Sequence, residues 1–226
     1  MSSTLEIFAD ASIRTYPDGR TFGCAGAYAI PLDISMYRIS QDTTNNRSEL
    51  LAIYIGCKLA RDILLTYPDT FDKVVLYSDS QFAIFGLTKW MDAWLLTRDE
   101  NGIIYSVSTK KPVKNQELFL CIIQFLIDNN LQIHFRHCAG HVDYNKPDKL
   151  KYANELYQKS NNESLRPEEI YKISYYNNVV DQESRSQLKS VIPSLYPIQN
   201  YYANIAAMRK YDISNYKDHV LYNLEG

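Results

Sequence analysis

The sequence predicts an α/β protein built on a mixed five-stranded sheet flanked by helices. Three observations predict it. Over the first 160 residues, runs with apolar period two alternate with stripes at helical spacing, in the order βββ-α-β-α-α-β-α. The first three strands are joined by short connections, which makes an antiparallel start, and the later strands are separated by helices, which favours parallel crossovers. Finally, 46% hydrophobic and 22% charged residues in a chain of 226 are enough to form a core and argue against disorder.

Each element follows from its residues. Leu5 to Asp10 is a short apolar run. Thr21 to Ile30 alternates, with Gly23, Ala25, Ala27 and Ala29 on one face, so another element packs close to that face. Pro31 to Asp33 forms a tight connection to a third strand, Ile34 to Ser40. Asn46 to about Leu65 is rich in Leu, Ile and Ala and reads as a helix ending before Tyr67-Pro68. Lys73 to Ser78 is β-branched and runs straight into Asp79, and Ser80 to Trp94 is one or two helices. A polar segment, Thr97 to Asn115, precedes a helix over Gln116 to Asn130, with Leu118, Phe119, Ile122 and Phe125 at helical spacing. Leu131, Ile133 and Phe135 alternate with Gln132, His134 and Arg136 in the last strand, and a helix follows from about Asp148 to Lys159.

Beyond residue 160 the texture changes: nine of the 19 tyrosines fall in the last 66 residues. Short helices are expected near Pro167 to Ile173 and Tyr202 to Arg209. No chemical motif stands out, so the expected organisation is a domain over 1–160 and a small, mostly helical extension over 161–226. The extension is expected to pack on the main domain or to dock a protein partner.

Net charge is −2 and the isoelectric point is near 6.1, so the overall field does not announce a polyanionic partner. Cys24, Cys57, Cys121 and Cys138 form no CxxC pair, and the N-terminus lacks a charged region followed by an apolar one. No apolar run approaches the ~20 residues of a membrane span. The expectation is a reduced, cytoplasmic monomer with no membrane association.

Acidic residues stand at strand ends and a helix start: Asp10, Glu49 and Asp79. Ligand sites of open α/β sheets gather there. Three converging carboxylates repel one another unless a cation holds them, and hard oxygen donors without a His/Cys cluster point to Mg²⁺ or Mn²⁺. Two such ions ~3.5–4 Å apart can activate water on one side of a phosphodiester and stabilise the leaving oxygen on the other. Taken singly, each acid has a plainer explanation. Glu49 is three residues from Asn46, as in a capping box, Asp79 suits a helix cap, and Asp10 suits a turn.

The surrounding residues favour the joint explanation. Leu5-Glu6-Ile7-Phe8-Ala9-Asp10-Ala11-Ser12, Thr43-Thr44-Asn45-Asn46-Arg47-Ser48-Glu49-Leu50, Tyr77-Ser78-Asp79-Ser80-Gln81 and Lys111-Pro112-Val113-Lys114-Asn115 occur in this order. They resemble the successive motifs of type 1 ribonuclease H, especially its bacterial form, over residues 4 to about 159. The resemblance implies an RNase H-like fold and an endonuclease that hydrolyses the RNA strand of an RNA–DNA hybrid with two Mg²⁺ ions, Mn²⁺ substituting. It implies that Asp10, Glu49 and Asp79 are three of four metal-binding acids.

The same comparison places the fourth acid in an Ala-Asp-x-Leu helix after a Gly-His loop. Here Gly140-His141 is followed by Ala153-Asn154-Glu155-Leu156, which puts Asn154 at the catalytic, metal-binding position. An asparagine lacks one charge, worth about 4 kcal/mol against a unit charge at ~4 Å and an effective dielectric of ~20. On that reading cleavage slows by orders of magnitude, through natural variation or a deliberate inactivating substitution. Glu155, ~100° away around the helix, does not replace it without distortion. His141 matches the mobile-loop histidine that assists proton transfer or product release, with His137 as its rival because Arg136-His137-Cys138-Ala139-Gly140-His141 aligns in two ways.

For the substrate, Asn45, Asn46 and Gln81 suit base edges and 2′-hydroxyls in the minor groove, and Thr44 and Arg47 suit a phosphate. Trp90 and Trp94, at i and i+4, followed by Arg98, Lys110, Lys111 and Lys114, resemble the family's basic protrusion, with Asn115 closing the substrate-side Lys-Pro-Val-Lys-Asn motif, although two tryptophans so spaced also suit a core. Two other functions stay open: a non-cleaving hybrid-binding protein on the same fold, favoured by Asn154, and another nuclease of that broad fold.

Overall fold

A computed structural model describes residues 3–41, 43–193 and 213–221. In chain order the elements are β1 (Thr4–Thr15), β2 (Thr21–Ile30), β3 (Ile34–Gln41), α1 (Asn45–Thr66), β4 (Lys73–Ser78) and α2 (Gln81–Phe85). A single π-helical segment, Gly86–Trp90, joins α2 to α3 (Met91–Leu95). Next come α4 (Gln116–Asp128), β5 (Ile133–His137), α5 (Pro147–Asn161), α6 (Pro167–Lys189), a 3₁₀ turn over Tyr216–Asp218 and β6 (Val220–Leu221).

The sheet order is β3-β2-β1-β4-β5-β6. β1 and β3 are antiparallel to β2, whereas β1, β4, β5 and β6 are mutually parallel. The expected mixed sheet is thus present and gains a sixth short strand from the C-terminal region. Odd residues of β1, Leu5, Ile7, Ala9 and Ala11, join Leu50, Ile53, Cys57 and Ala60 of α1 in the larger core. The small residues of β2 let α1 approach: a Cβ on Gly23 would lie 2.3 Å from Ser48 Oγ.

The other face of the sheet carries a second core. Phe8, Val75 and Tyr77 meet Ala153 and Tyr157 of α5 and Ile170, Ile173 and Val180 of α6. The helix expected over Pro167 to Ile173 therefore continues to Lys189, with Ile170, Ile173, Asn177, Val180, Ser184 and Leu188 buried along one stripe. Of the two arrangements expected for the region after residue 160, α6 shows packing on the main unit: it covers the apolar second face of the sheet, which would otherwise meet water. Residues 213–221 also join this unit, with Ile213, Tyr216 and Val220 in the larger core. The helix expected over Tyr202 to Arg209 lies outside the described residues. Among the described residues no helix is long and apolar enough to cross a membrane.

α6 runs alongside β1 in the same direction. Lys172 Nζ meets Glu6 at 2.6 Å, Tyr176 stacks on Phe8, Ser12 Oγ lies 3.4 Å from Asp181, and Tyr16 donates to the Leu188 carbonyl. This alignment decides what stands beside the carboxyl end of β4.

Candidate active site

β4 pairs with β1 up to Phe8↔Tyr77. Two residues further on come Asp10, still within β1, and Asp79, the first residue after β4. β1 itself continues to Thr15, so Asp10 marks the point where its parallel neighbour stops rather than the strand's end. Glu49 arrives from the start of α1. That helix is capped by Thr44, whose hydroxyl accepts from Arg47 N at 3.4 Å, so Glu49 is not the partner of an Asn46 cap. Ser80, not Asp79, caps α2 by accepting from Ala83 N. Both plainer explanations of these acids therefore fail on geometry.

One oxygen from each of Asp10, Glu49 and Asp79 lies within 4.8 Å of the others. Asp10 Oδ1 accepts from Ala11 N at 2.7 Å, whereas Asp10 Oδ2 and Glu49 Oε2 are buried with no hydrogen-bond partner among the described residues. Burial, then repulsion from Asp79, Glu49 and Asp181, pushes Asp10 well above the usual carboxylate range. Burial and Asp79 push Glu49 to about 9. Burial also raises Asp79, against the lowering influence of His141 and the Asn177 amide. Such a cluster holds protons until a cation replaces them, and its orphaned oxygens fit a divalent ion.

A further carboxylate completes the cavity. Asp181, buried on α6, accepts from Arg185 Nε at 2.8 Å through Oδ1, while Oδ2 lies 3.4 Å from His141 Nδ1. Asn154 is elsewhere: it sits on α5 and does not line the cavity that holds Asp10, Glu49, Asp79 and Asp181. The structure does not bring Asn154, expected at the fourth position from the Ala-x-x-Leu match, to the three acids, because α5 lies against β5 whereas α6, on the same face of the sheet, lies across β1 and β2. The signal for Asp181 was the apolar stripe of α6, which continues past Ile173 but is diluted by Ser174, Asn177 and Ser184.

The two histidines separate cleanly. His141 lines the cavity, in a left-handed conformation with φ 52°. His137 is buried, its Nδ1 2.8 Å from Ser160 Oγ and its Nε2 3.2 Å from the Asp79 carbonyl.

The cavity, of about 550 Å³, has a cationic side. Arg185 and Lys189 follow Asp181 by one and two helical turns, and Arg14 follows Asp10 on β1; all three line it, as does Asn45. Thr44, Asn46 and Gln81 are not among its lining residues; Asn46 and Gln81 are exposed in the first turns of α1 and α2. Arg47, considered for a phosphate, is paired with Glu117. Trp90, Trp94, Lys111 and Lys114 line a second groove of about 680 Å³. Trp94 also belongs to the core, 8% exposed and edge-on to Phe119, so the tryptophan pair serves packing as well as a groove wall. Asn115 stands in a left-handed conformation just before α4 and is not a groove residue.

The RNase H family model matches residues 2–158. Ribonuclease HI of Haemophilus ducreyi is 30% identical over 155 residues, covering 64% of this chain and 84% of that protein. Ribonuclease HI of Haemophilus influenzae is 31% identical over 147 residues, covering 64% and 82%. The solution structure of the PFV RNase H domain is 20% identical with a TM-score of 0.44, covering 70% of this chain and 92% of that one. With a family match over more than half its length and such relatives, the chain belongs to the RNase H family and groups there with the ribonucleases HI.

Proposed function

We propose that this protein hydrolyses the RNA strand of RNA–DNA hybrids with a pair of divalent cations, Mg²⁺ or Mn²⁺, held by Asp10, Glu49, Asp79 and Asp181. The observation that carries the reading is the meeting of these carboxylates in one cavity that continues into Arg14, Arg185 and Lys189. When bound, the cations supply the activation of water and the stabilisation of the leaving oxygen. The chain's own residues do the rest.

Asp10 and Glu49 each present an orphaned buried oxygen, so their unpaired charge is available to cations rather than to neighbouring donors. Arg185 and Lys189, on the exposed side of α6, grip phosphates beside the cleavage point, and His141, in the same cavity, accepts or returns a proton at an imidazole nitrogen. Asn45 meets a base edge or a 2′-hydroxyl, which distinguishes RNA from DNA. Lys111 and Lys114 in the second groove hold the backbone of the partner strand. Hydrolysis breaks the bond between phosphorus and the 3′ oxygen; water's oxygen joins phosphorus, and the departing 3′ oxygen takes a proton. The non-cleaving reading rested on Asn154 and loses its support, since Asp181 supplies the acid. The proposed setting remains cytoplasmic, with the protein acting as a monomer.

The test uses a hybrid labelled on either strand, with Mg²⁺. RNA products ending in 5′-phosphate and 3′-hydroxyl are expected, together with loss of cleavage but not of hybrid binding in Asp10→Asn. Cleavage that survives Asp10→Asn would overturn the reading.

A further inference from the structure

The residues beside Asp79 carry a constraint that the chemistry above does not use. A Cβ built on Gly140 would lie 1.9 Å from Asp79 Oδ2 and 2.8 Å from its Cγ. Gly140 is not among the left-handed residues of the chain, so its backbone would accept a side chain; space alone excludes one. The loop cannot easily retreat. On one side Cys138 N donates to the Ser78 carbonyl at 3.0 Å, extending the β4–β5 ladder. On the other, Asn178 Nδ2 donates to the Val142 carbonyl at 2.7 Å, and Val142 is itself buried. Asp79 meets a further wall in Asn177 of α6, which is 1% exposed.

We infer that Gly140 is a positioning residue: its bare backbone forms the wall against which the Asp79 carboxylate rests, and this fixes the direction in which Asp79 presents its oxygens. The inference rests on the reading of Asp79 as a cation ligand. A short side chain can escape a clash by rotating, so an added methyl group turns Asp79 away while leaving the fold standing. The effect falls on cation binding more than on stability.

The experiment compares the full chain, Gly140→Ala, Asp79→Ala and the double variant, titrated with Mg²⁺ and Mn²⁺ by calorimetry and melted without metal. Expected is at least a tenfold loss of cation affinity in Gly140→Ala, and no additional loss when Gly140→Ala is added to Asp79→Ala, because the two atoms it would strike, Oδ2 and Cγ, are gone and Cβ stays 3.1 Å away. An equal loss in both backgrounds, or none in the first, overturns the inference. If the unaltered chain binds neither cation, the functional reading fails on its own. The positional inference is then judged by melting: a drop on Gly140→Ala that Asp79→Ala abolishes supports it, and a drop that persists overturns it.

Discussion

Replacing Asp181 by asparagine removes one charge from the cavity while keeping its shape. Asp181 is close enough to act electrostatically on Asp10, Glu49 and Asp79, and the oxygens of those three lie within 4.8 Å of one another. A unit pair at ~4 Å with an effective dielectric of ~20 is worth about 4 kcal/mol. Each ~1.4 kcal/mol is a factor of ten, so kcat/KM on a labelled hybrid is expected to fall about a thousandfold at fixed Mg²⁺. The metal-free fold loses little, because relief of repulsion offsets the Arg185 ion pair, whose exposed guanidinium makes it worth at most about 1 kcal/mol. The control is Asn154→Asp. Asn154 Oδ1 is buried without a partner among the described residues, so a charge there is expected to lower stability by about 1–3 kcal/mol without raising the rate. More than a tenth of the activity surviving in Asp181→Asn, or a tenfold gain in Asn154→Asp, would refute this assignment of the fourth acid.

Three further outcomes are expected. Glu49 titrates near 4.5 when unfolded and near 9 when folded without metal, so between those values the folded chain binds the extra proton and stability falls as pH rises. Melting of metal-stripped protein from pH 5 to 9 should show this decline and Mg²⁺ should flatten it; a rising curve would contradict the burial of these acids. Lys111→Ala with Lys114→Ala should weaken hybrid binding and reduce the slope of log affinity against log salt by about 2, with melting unchanged, whereas Trp94→Ala should cost about 3–5 kcal/mol of stability. Tyr216→Ala should lower the melting temperature measurably, since Tyr216 is 3% exposed in the core and its hydroxyl meets Asp92; an unchanged melt would mean that residues 213–221 contribute nothing to the fold.

The sequence carried the parts of the site that lie in continuous words. Asp10, Glu49 and Asp79 each stand next to a strong apolar pattern, so their convergence could be anticipated even though β1 runs on past Asp10 to Thr15. Asp181 could not be found that way. The segment between His141 and α6 holds an additional helix, α5, whose Ala153 and Leu156 imitate the expected spacing around the acid. The helix that carries Asp181, α6, interrupts its apolar stripe with Ser174, Asn177 and Ser184, small polar residues accommodated where the helix lies against β1 and β2. The sixth strand was equally hidden: Val220–Leu221 is too short for periodicity to register and exists because β5 offers it an edge. His137 and His141 fit the sequence pattern equally well and part only in the folded chain, where His137 is buried and hydrogen-bonded while His141 lines the cavity.

The most direct measurement incubates the unaltered chain with Mg²⁺ and four labelled substrates of one sequence: RNA–DNA hybrid, duplex RNA, duplex DNA and single-stranded RNA. Cleavage confined to the RNA strand of the hybrid, and abolished by chelation, is the expected result. Absence of cleavage under Mg²⁺ and Mn²⁺ alike, or cutting of the other substrates at comparable rates, would contradict the account.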